Sequence, residues 1–262
     1  DYGTDAQKEK VSQALATADF TPAAMALMEP GIGFDARRLN TRAVRQSDGS
    51  YVLDGAKSMV AFGPQARLLL VFAASGDAGT QAFILSGDSA GVSFEKEEYM
   101  GLRPLPLYAM ALNKVAVPAS ARLRDDFDLG RLLSLGKIAT AALAVGTCQA
   151  VLDYVVPYVK ERTAFGEPIS NRQAVAFMVA DMATELEALR LMVYRAAAQA
   201  ERGLDCTRAA FLAHRNAVKY GMKIGTDGVQ LLGGHGFTRS HPVEMYYRNL
   251  RALAMLDGML LA

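Results

Sequence analysis

Residues able to do chemistry gather in three short segments of this 262-residue sequence. The first is Met28-Glu29-Pro30-Gly31-Ile32-Gly33-Phe34-Asp35. The second is Glu161-Arg162-Thr163-Ala164-Phe165-Gly166-Glu167-Pro168-Ile169, followed by Gln173. The third runs Gln230-Leu231-Leu232-Gly233-Gly234-His235-Gly236-Phe237-Thr238, then Pro242-Val243-Glu244 and Tyr247-Arg248. Taken singly, these residues read as structure. Arg162 is a surface charge, Phe165 a core aromatic, and Gly233 with Gly234 a helix C-cap. Asp257, just before Gly258, is a turn or helix-end carboxylate. His235 and His241 flank a glycine turn and His214 lies in a helical stretch, so the histidines form no site. No metal-ligand spacing appears. Cys148 and Cys206 sit in helix-like segments and read as packing residues rather than nucleophiles.

The elements that position these segments differ between two halves. From about residue 25 to 120 the sequence is rich in Gly, Pro and short apolar runs. Asp48-Gly49 between Arg42-Ala43-Val44 and Tyr51-Val52-Leu53 predicts a hairpin. Leu68 to Phe72 is a continuous apolar run of the kind buried strands show. Ala82 to Leu85, Val92 to Phe94 and Val115 to Pro118 are further strand candidates, so this half reads as a small barrel or sandwich. From Leu129 onward the texture is helical. Met178, Met182, Leu186, Leu189 and Val193 make one apolar stripe at three- and four-residue spacings. Ala209 to Leu232 predicts a long helix ended by Gly233-Gly234, and Pro242 stands near the first turn of another. Long helices joined by short loops predict an antiparallel bundle.

Composition narrows the function classes. A formal net charge of +1 argues against nucleic acid as a partner. The most membrane-like run, Ile138 to Val159, is broken by Gln149, Asp153 and Pro157 and reads as a buried central helix, not a span. No signal peptide is visible, and two cysteines outside any disulfide framework fit a reducing, cytoplasmic setting.

In their order and spacing the three segments resemble the acyl-CoA dehydrogenase family. Tyr2-Gly3-Thr4 with Gln7-Lys8 is similar to a helical segment before that family's β domain, and Gly101-Leu102-Arg103 to a loop late in it. The resemblance runs through the whole chain. It implies an α+β fold: a leading helical domain mostly absent here (residues 1–20 its end), a β-barrel middle domain over 21–125, and an antiparallel four-helix bundle over 126–262. It implies dehydrogenation of an acyl-CoA thioester to a trans-2-enoyl-CoA. A carboxylate takes the α proton, the β hydrogen leaves as hydride to FAD, and hydrogen bonds stabilise the thioester enolate. The flavin site in such enzymes is shared between subunits. By that likeness Arg162 faces the pyrophosphate, since a guanidinium's forked donors suit phosphate oxygens. Phe165 packs near the adenosine, Gln173 and Gln230 supply neutral hydrogen bonds, and Gly233 and Gly234 let backbone approach the cofactor. Counting from Pro242 through Arg248, the catalytic carboxylate falls on Asp257, one methylene shorter than the family's Glu. The alternative base position on the first bundle helix is Gly130.

The flavin-ring half departs from the family pattern. Met28 stands where the family has Thr, and Phe34 where it has Ser. Lys57-Ser58-Met59-Val60-Ala61 replaces Lys-x-Trp-Ile-Thr, and the chain has no Trp. The Thr partners of the ring and the substrate-facing Ser are thus apolar here, and the Trp that shields the ring is Met59. The expectation is a subunit of a heteromeric acyl-CoA dehydrogenase that lends its dinucleotide-binding half to a related partner, with an electron-transfer flavoprotein as a possible acceptor. The alternatives are a self-sufficient homo-oligomer with Asp257 as base, and a non-catalytic scaffold of the same fold.

Overall fold

The computed structural model describes residues 2–256, and the chain divides into two compact units. Of the described residues, the first holds those up to 98 and 103–129, and the second 99–102 and 130–256. Asp257 lies outside the described residues.

The first unit opens with α1 (Asp5–Leu15), whose N-terminus carries a capping box: Gln7 N–H donates to the Thr4 hydroxyl and the Gln7 side chain accepts from Thr4 N–H. The Gln7 amide also donates to the carbonyls of Ser120 and Arg122, fastening the helix to the strands' far end. Seven strands follow: β1 (Ala23–Ala26), β2 (Arg42–Arg45), β3 (Tyr51–Ala61), β4 (Leu68–Ala74), β5 (Thr80–Leu85), β6 (Val92–Glu97) and β7 (Leu107–Val117). They form one mixed sheet in the order β1-β4-β2-β3-β7-β6, with β5 also on β4. The expected hairpin exists. β2 and β3 pair antiparallel with Val44 opposite Val52, and the loop is closed by the Asp48 carboxylate accepting from Ser50 N–H. Leu69, Val71, Phe72, Phe83, Leu53 and Met110 fill the core.

Inside that apolar core sits one ion pair. Lys57 Nζ lies 2.9 Å from Glu29 Oε1, both side chains almost wholly removed from water. Glu29 also accepts the Asn40 and Thr41 backbone N–H groups, and Lys57 donates to the Leu27 carbonyl. Burial alone would raise the Glu29 carboxyl, but these donors outweigh it and hold it at about 2, below its ordinary 4.5. Burial lowers Lys57 to about 8 against the pull of Glu29. The pair ties the Met28–Asp35 loop to β3, because its members come from those two segments.

The second unit is helical: α2 (Leu129–Glu161), α3 (Gln173–Glu201), α4 (Thr207–Leu231) and α5 (Val243–Leu253). α2 is long and apolar enough to cross a membrane, yet its Ile138, Val145, Val151, Val155 and Val159 are buried. The α3 stripe buries Met182, Leu186, Leu189 and Val193. Met178 departs from the expected stripe: it is only half-buried and lines a surface groove described below. Gly221, Gly225 and Gly228 fall on one face of α4, where added methyls would press on Leu250, Tyr247, Val243 and Val151. Without side chains there, α5 and α2 close on α4. Arg248 donates to the Met100 carbonyl and Asn249 accepts from Leu102 N–H, which explains why residues 99–102 belong to this unit.

Two outcomes are expected from this packing. Lys57→Met strands the buried Glu29 carboxylate and costs about 3–5 kcal/mol, measured by urea unfolding under circular dichroism. Because the folded-state pKa of Glu29 is lowered, its contribution in the parent chain is complete above pH 4.5 and is lost as pH falls toward about 2, so the acid limb of the stability profile shows it. Gly228→Ala drives a methyl to 2.5 Å from Val151 Cγ1. It is expected to destabilise by about 1–3 kcal/mol through overpacking, read as a fall in melting temperature.

Candidate functional site

The second and third sequence segments meet in the helical unit. α2 ends at Glu161, and the chain turns through a two-residue hairpin, β8 (Thr163–Ala164) and β9 (Glu167–Pro168), into the start of α3. α4 ends at Leu231 and passes into a 3-10 turn over Gly233–Phe237. Between them lies an open groove of about 1020 Å³ lined by Tyr158, Arg162, Phe165, Gln230, Gly233 and Gly234, with Ile169, Val175 and Met178 as an apolar wall.

Of the residues singled out in the sequence, Arg162, Phe165, Gln230, Gly233 and Gly234 thus share one groove. Gln173 is the first residue of α3, exposed, and does not line it. Arg162 has no carboxylate partner among the described residues, although its backbone is fixed by bonds to Tyr158 and Ile169. Phe165 is not a core aromatic, the reading its type alone suggests. It stands 95% exposed on left-handed backbone (φ 57°), beside Gly166 at φ 87°. Bulky residues occupy this region only where the surrounding structure compels them, so the hairpin forces the ring outward. Arg172 lies over that ring at 5.7 Å and pairs with Glu167 at 3.2 Å.

The groove also holds groups that the sequence did not advertise. No side chain caps α3, so its first-turn amides, where Ala174 and Val175 form the groove wall, are left without a side-chain acceptor. Together with the helix dipole this makes one wall a donor surface for anions. Tyr158 and His235 add polar groups at the lip. The histidines make a contact that their sequence spacing does not show. His235 and His241 stack at 5.2 Å between ring centroids, and each ring binds a tyrosine hydroxyl of α2. The sequence hid this because Tyr154 and Tyr158 lie 87 and 77 residues away from their partners. Cys148, by contrast, is buried and its thiol is pushed up to about 12, which leaves it a packing residue.

The first segment is internally committed. Met59, at the place of the family's aromatic shield, is 2% exposed on left-handed backbone (φ 58°). Its N–H and the Ser58 hydroxyl both donate to Glu97. Met28 is half-buried, and its carbonyl accepts from Ser58 N–H.

Comparison with known proteins agrees with this architecture. The model of the acyl-CoA dehydrogenase middle domain matches residues 24–115, and that of the C-terminal domain matches 129–260. The chain is 34% identical to the short-chain specific acyl-CoA dehydrogenase of Megasphaera elsdenii, over 98% of this chain and 69% of that protein. It is 35% identical to the caffeyl-CoA reductase-Etf complex subunit CarC of Acetobacterium woodii, over 98% and 69%. A glutaryl-CoA dehydrogenase of Mycobacterium smegmatis, solved in complex with FADH2, superposes with a TM-score of 0.89 at 26% identity, over 98% of this chain and 67% of that one. Matched across both units and nearly all of its length, the chain belongs to the acyl-CoA dehydrogenase family.

Proposed function

We propose that the chain is a subunit of an FAD-dependent acyl-CoA dehydrogenase and lends the adenine-dinucleotide half of a flavin site to a related partner subunit. One observation carries this reading: the groove's polar groups are exposed and unspent. Arg162 is unpaired among the described residues, the α3 amides are uncapped, and Gln230 is exposed. The donor set fits the ligand. A guanidinium and helix-terminal amides suit a pyrophosphate, and the apolar wall with Phe165 suits an adenine face. Gly234 supports the fit. Its backbone has no left-handed φ, and an added methyl would meet nothing within 4 Å. Neither local conformation nor local packing requires glycine there, whereas a ligand approaching the backbone does.

When bound, FAD supplies the hydride acceptor. Arg162 and the α3 amides hold and neutralise phosphates, and Phe165 shields the adenine from water. Met28 and Ala61 stand where hydroxyls are expected for the ring, and Met59, where Trp is expected, is buried. The partner then furnishes the ring contacts and the base that removes the α proton of the acyl-CoA. We propose an electron-transfer flavoprotein as acceptor, because one relative is named as a subunit of an Etf complex.

The test is purification of the chain alone and with whatever co-purifies from its host, followed by flavin absorbance. The complex is expected to be yellow and the lone chain to bind little FAD. Arg162→Ala in the complex is expected to weaken FAD retention roughly tenfold, the loss of charge-assisted hydrogen bonds. A lone chain that binds FAD stoichiometrically and oxidises acyl-CoA points instead to the self-sufficient homo-oligomer. Undiminished FAD in the Arg162 variant overturns the groove assignment.

A further inference from the structure

Two tyrosines one helical turn apart on α2 reach across to the glycine turn after α4. The Tyr158 hydroxyl lies 3.3 Å from the Leu232 carbonyl and 2.9 Å from His235 Nδ1. Leu232 and His235 are the residues on either side of Gly233-Gly234, so a single hydroxyl bridges the two ends of that pair. Tyr154 makes the corresponding bond to His241 Nδ1 at 2.7 Å, and the His241 ring stacks on His235 with the planes 21° apart. The result is a two-rung ladder that fastens the turn to α2.

If both contacts are hydrogen bonds, the bridge sets the hydrogen polarity. A phenol carries one proton, and a carbonyl can only accept. When the Tyr158 proton goes to Leu232, the phenol oxygen is left as acceptor, and His235 must donate from Nδ1. The opposite polarity, the phenol donating to Nδ1, would leave the Leu232 carbonyl without this donor. It also leaves Nε2 as the ring atom not engaged by Tyr158, at a residue that lines the groove.

The turn gains from such a fastening. Gly233 has a left-handed φ of 56°, and a methyl added at Gly233 or Gly234 would meet nothing within 4 Å. Two successive glycines lose more conformational freedom on ordering than any other pair. A turn that is loose before binding would charge that ordering against ligand affinity, whereas a turn already held does not. On the far side Gly236 packs so closely on the Val229 carbonyl that a methyl would come within 2.2 Å of its oxygen, so that end is fixed by contact. At the Gly233-Gly234 end no side chain packs on the glycines, and the tyrosine adds a side-chain tie to the 3-10 backbone.

Resting on the dinucleotide reading above, we propose that Tyr158 and His235 are positioning residues: they hold the Gly233-Gly234 turn in the shape that receives the dinucleotide, through an Nδ1–H donated to the phenol oxygen. His241 and Tyr154 buttress the His235 ring from its other face.

The experiment has two arms. In the full chain, NMR of isotope-labelled histidine at mildly alkaline pH is expected to show His235 as the Nδ1–H tautomer, and Tyr158→Phe to shift it toward Nε2–H. In the flavin-loaded complex, FAD dissociation and the melting temperature are read for three variants. Tyr158→Phe is expected to weaken FAD binding about tenfold, the loss of two neutral hydrogen bonds. His235→Asn places an amide N–H where Nδ1–H stood and is expected to stay within about threefold of the parent. His235→Gln reproduces only the Nε2 side and is expected to lose as much as Tyr158→Phe. A purely structural role would lower the melting temperature of all three without this Asn–Gln split. An Nε2–H tautomer in the parent, parental FAD affinity in Tyr158→Phe, or rescue by Gln rather than Asn overturns the proposal. A parent complex that holds no FAD at all overturns this and the dinucleotide reading together, which distinguishes that failure from the others.

Discussion

The bare face of α4 governs the geometry of the helical unit. Gly221, Gly225 and Gly228 repeat at helical spacing, and each faces a neighbour at contact distance: Leu250 and Tyr247 of α5, Val243 at the α5 start, Val151 of α2. A close approach of this kind fixes not only the separation of the helices but also their axial register, since each glycine accepts a particular knob. Register is what matters for the groove. The C-terminal ends of α2 and α4 must stop at the same level for the Arg162–Gly166 hairpin and the Gly233–Phe237 turn to face each other, and Gly236 against Val229 seals that level.

The two units spend their polar groups in opposite ways. In the first, the groups that could serve a ligand are consumed internally. Glu29 takes two backbone amides and Lys57, Glu97 takes Met59 N–H and the Ser58 hydroxyl, and the strained Met59 position is held by that carboxylate. A site so satisfied gains little from a further partner. In the second, a guanidinium, an amide side chain and a helix N-terminus stand open to solvent around an apolar wall. Left in water, these groups carry no burial penalty.

Much of this was legible in the sequence where the signal is local. The Asp48-Gly49 hairpin, the Leu68–Phe72 strand and the start of helical texture at Leu129 all follow from patterns within a few residues. β1 was not legible: Ala23-Ala24-Met25-Ala26 has no strand propensity, and pairing with β4 supplies what propensity lacks. Met178 shares the period of the α3 stripe but not its burial, because the stripe runs past the end of the packed bundle into the groove. Arg162 and Gly233 came from order and spacing of motifs, whereas Tyr158 and His235 required tertiary contact. A polar pair separated by 77 residues leaves no periodic trace.

Gly233 and Gly234 separate structure from function within one dipeptide. Gly233 follows the C-cap Leu232 with a left-handed φ, so a helix-ending role is sufficient reason for glycine there. Gly234 has no such φ and no neighbour that a methyl would strike. An alanine at 234 would be the more stable choice for the isolated chain, since it would restrict the unfolded state without straining the folded one. Glycine at that position is therefore a cost that the chain's own fold does not explain. The same reasoning applies to Phe165, where an exposed ring on left-handed backbone forgoes burial and conformational ease together. Both departures from local ease border the same groove.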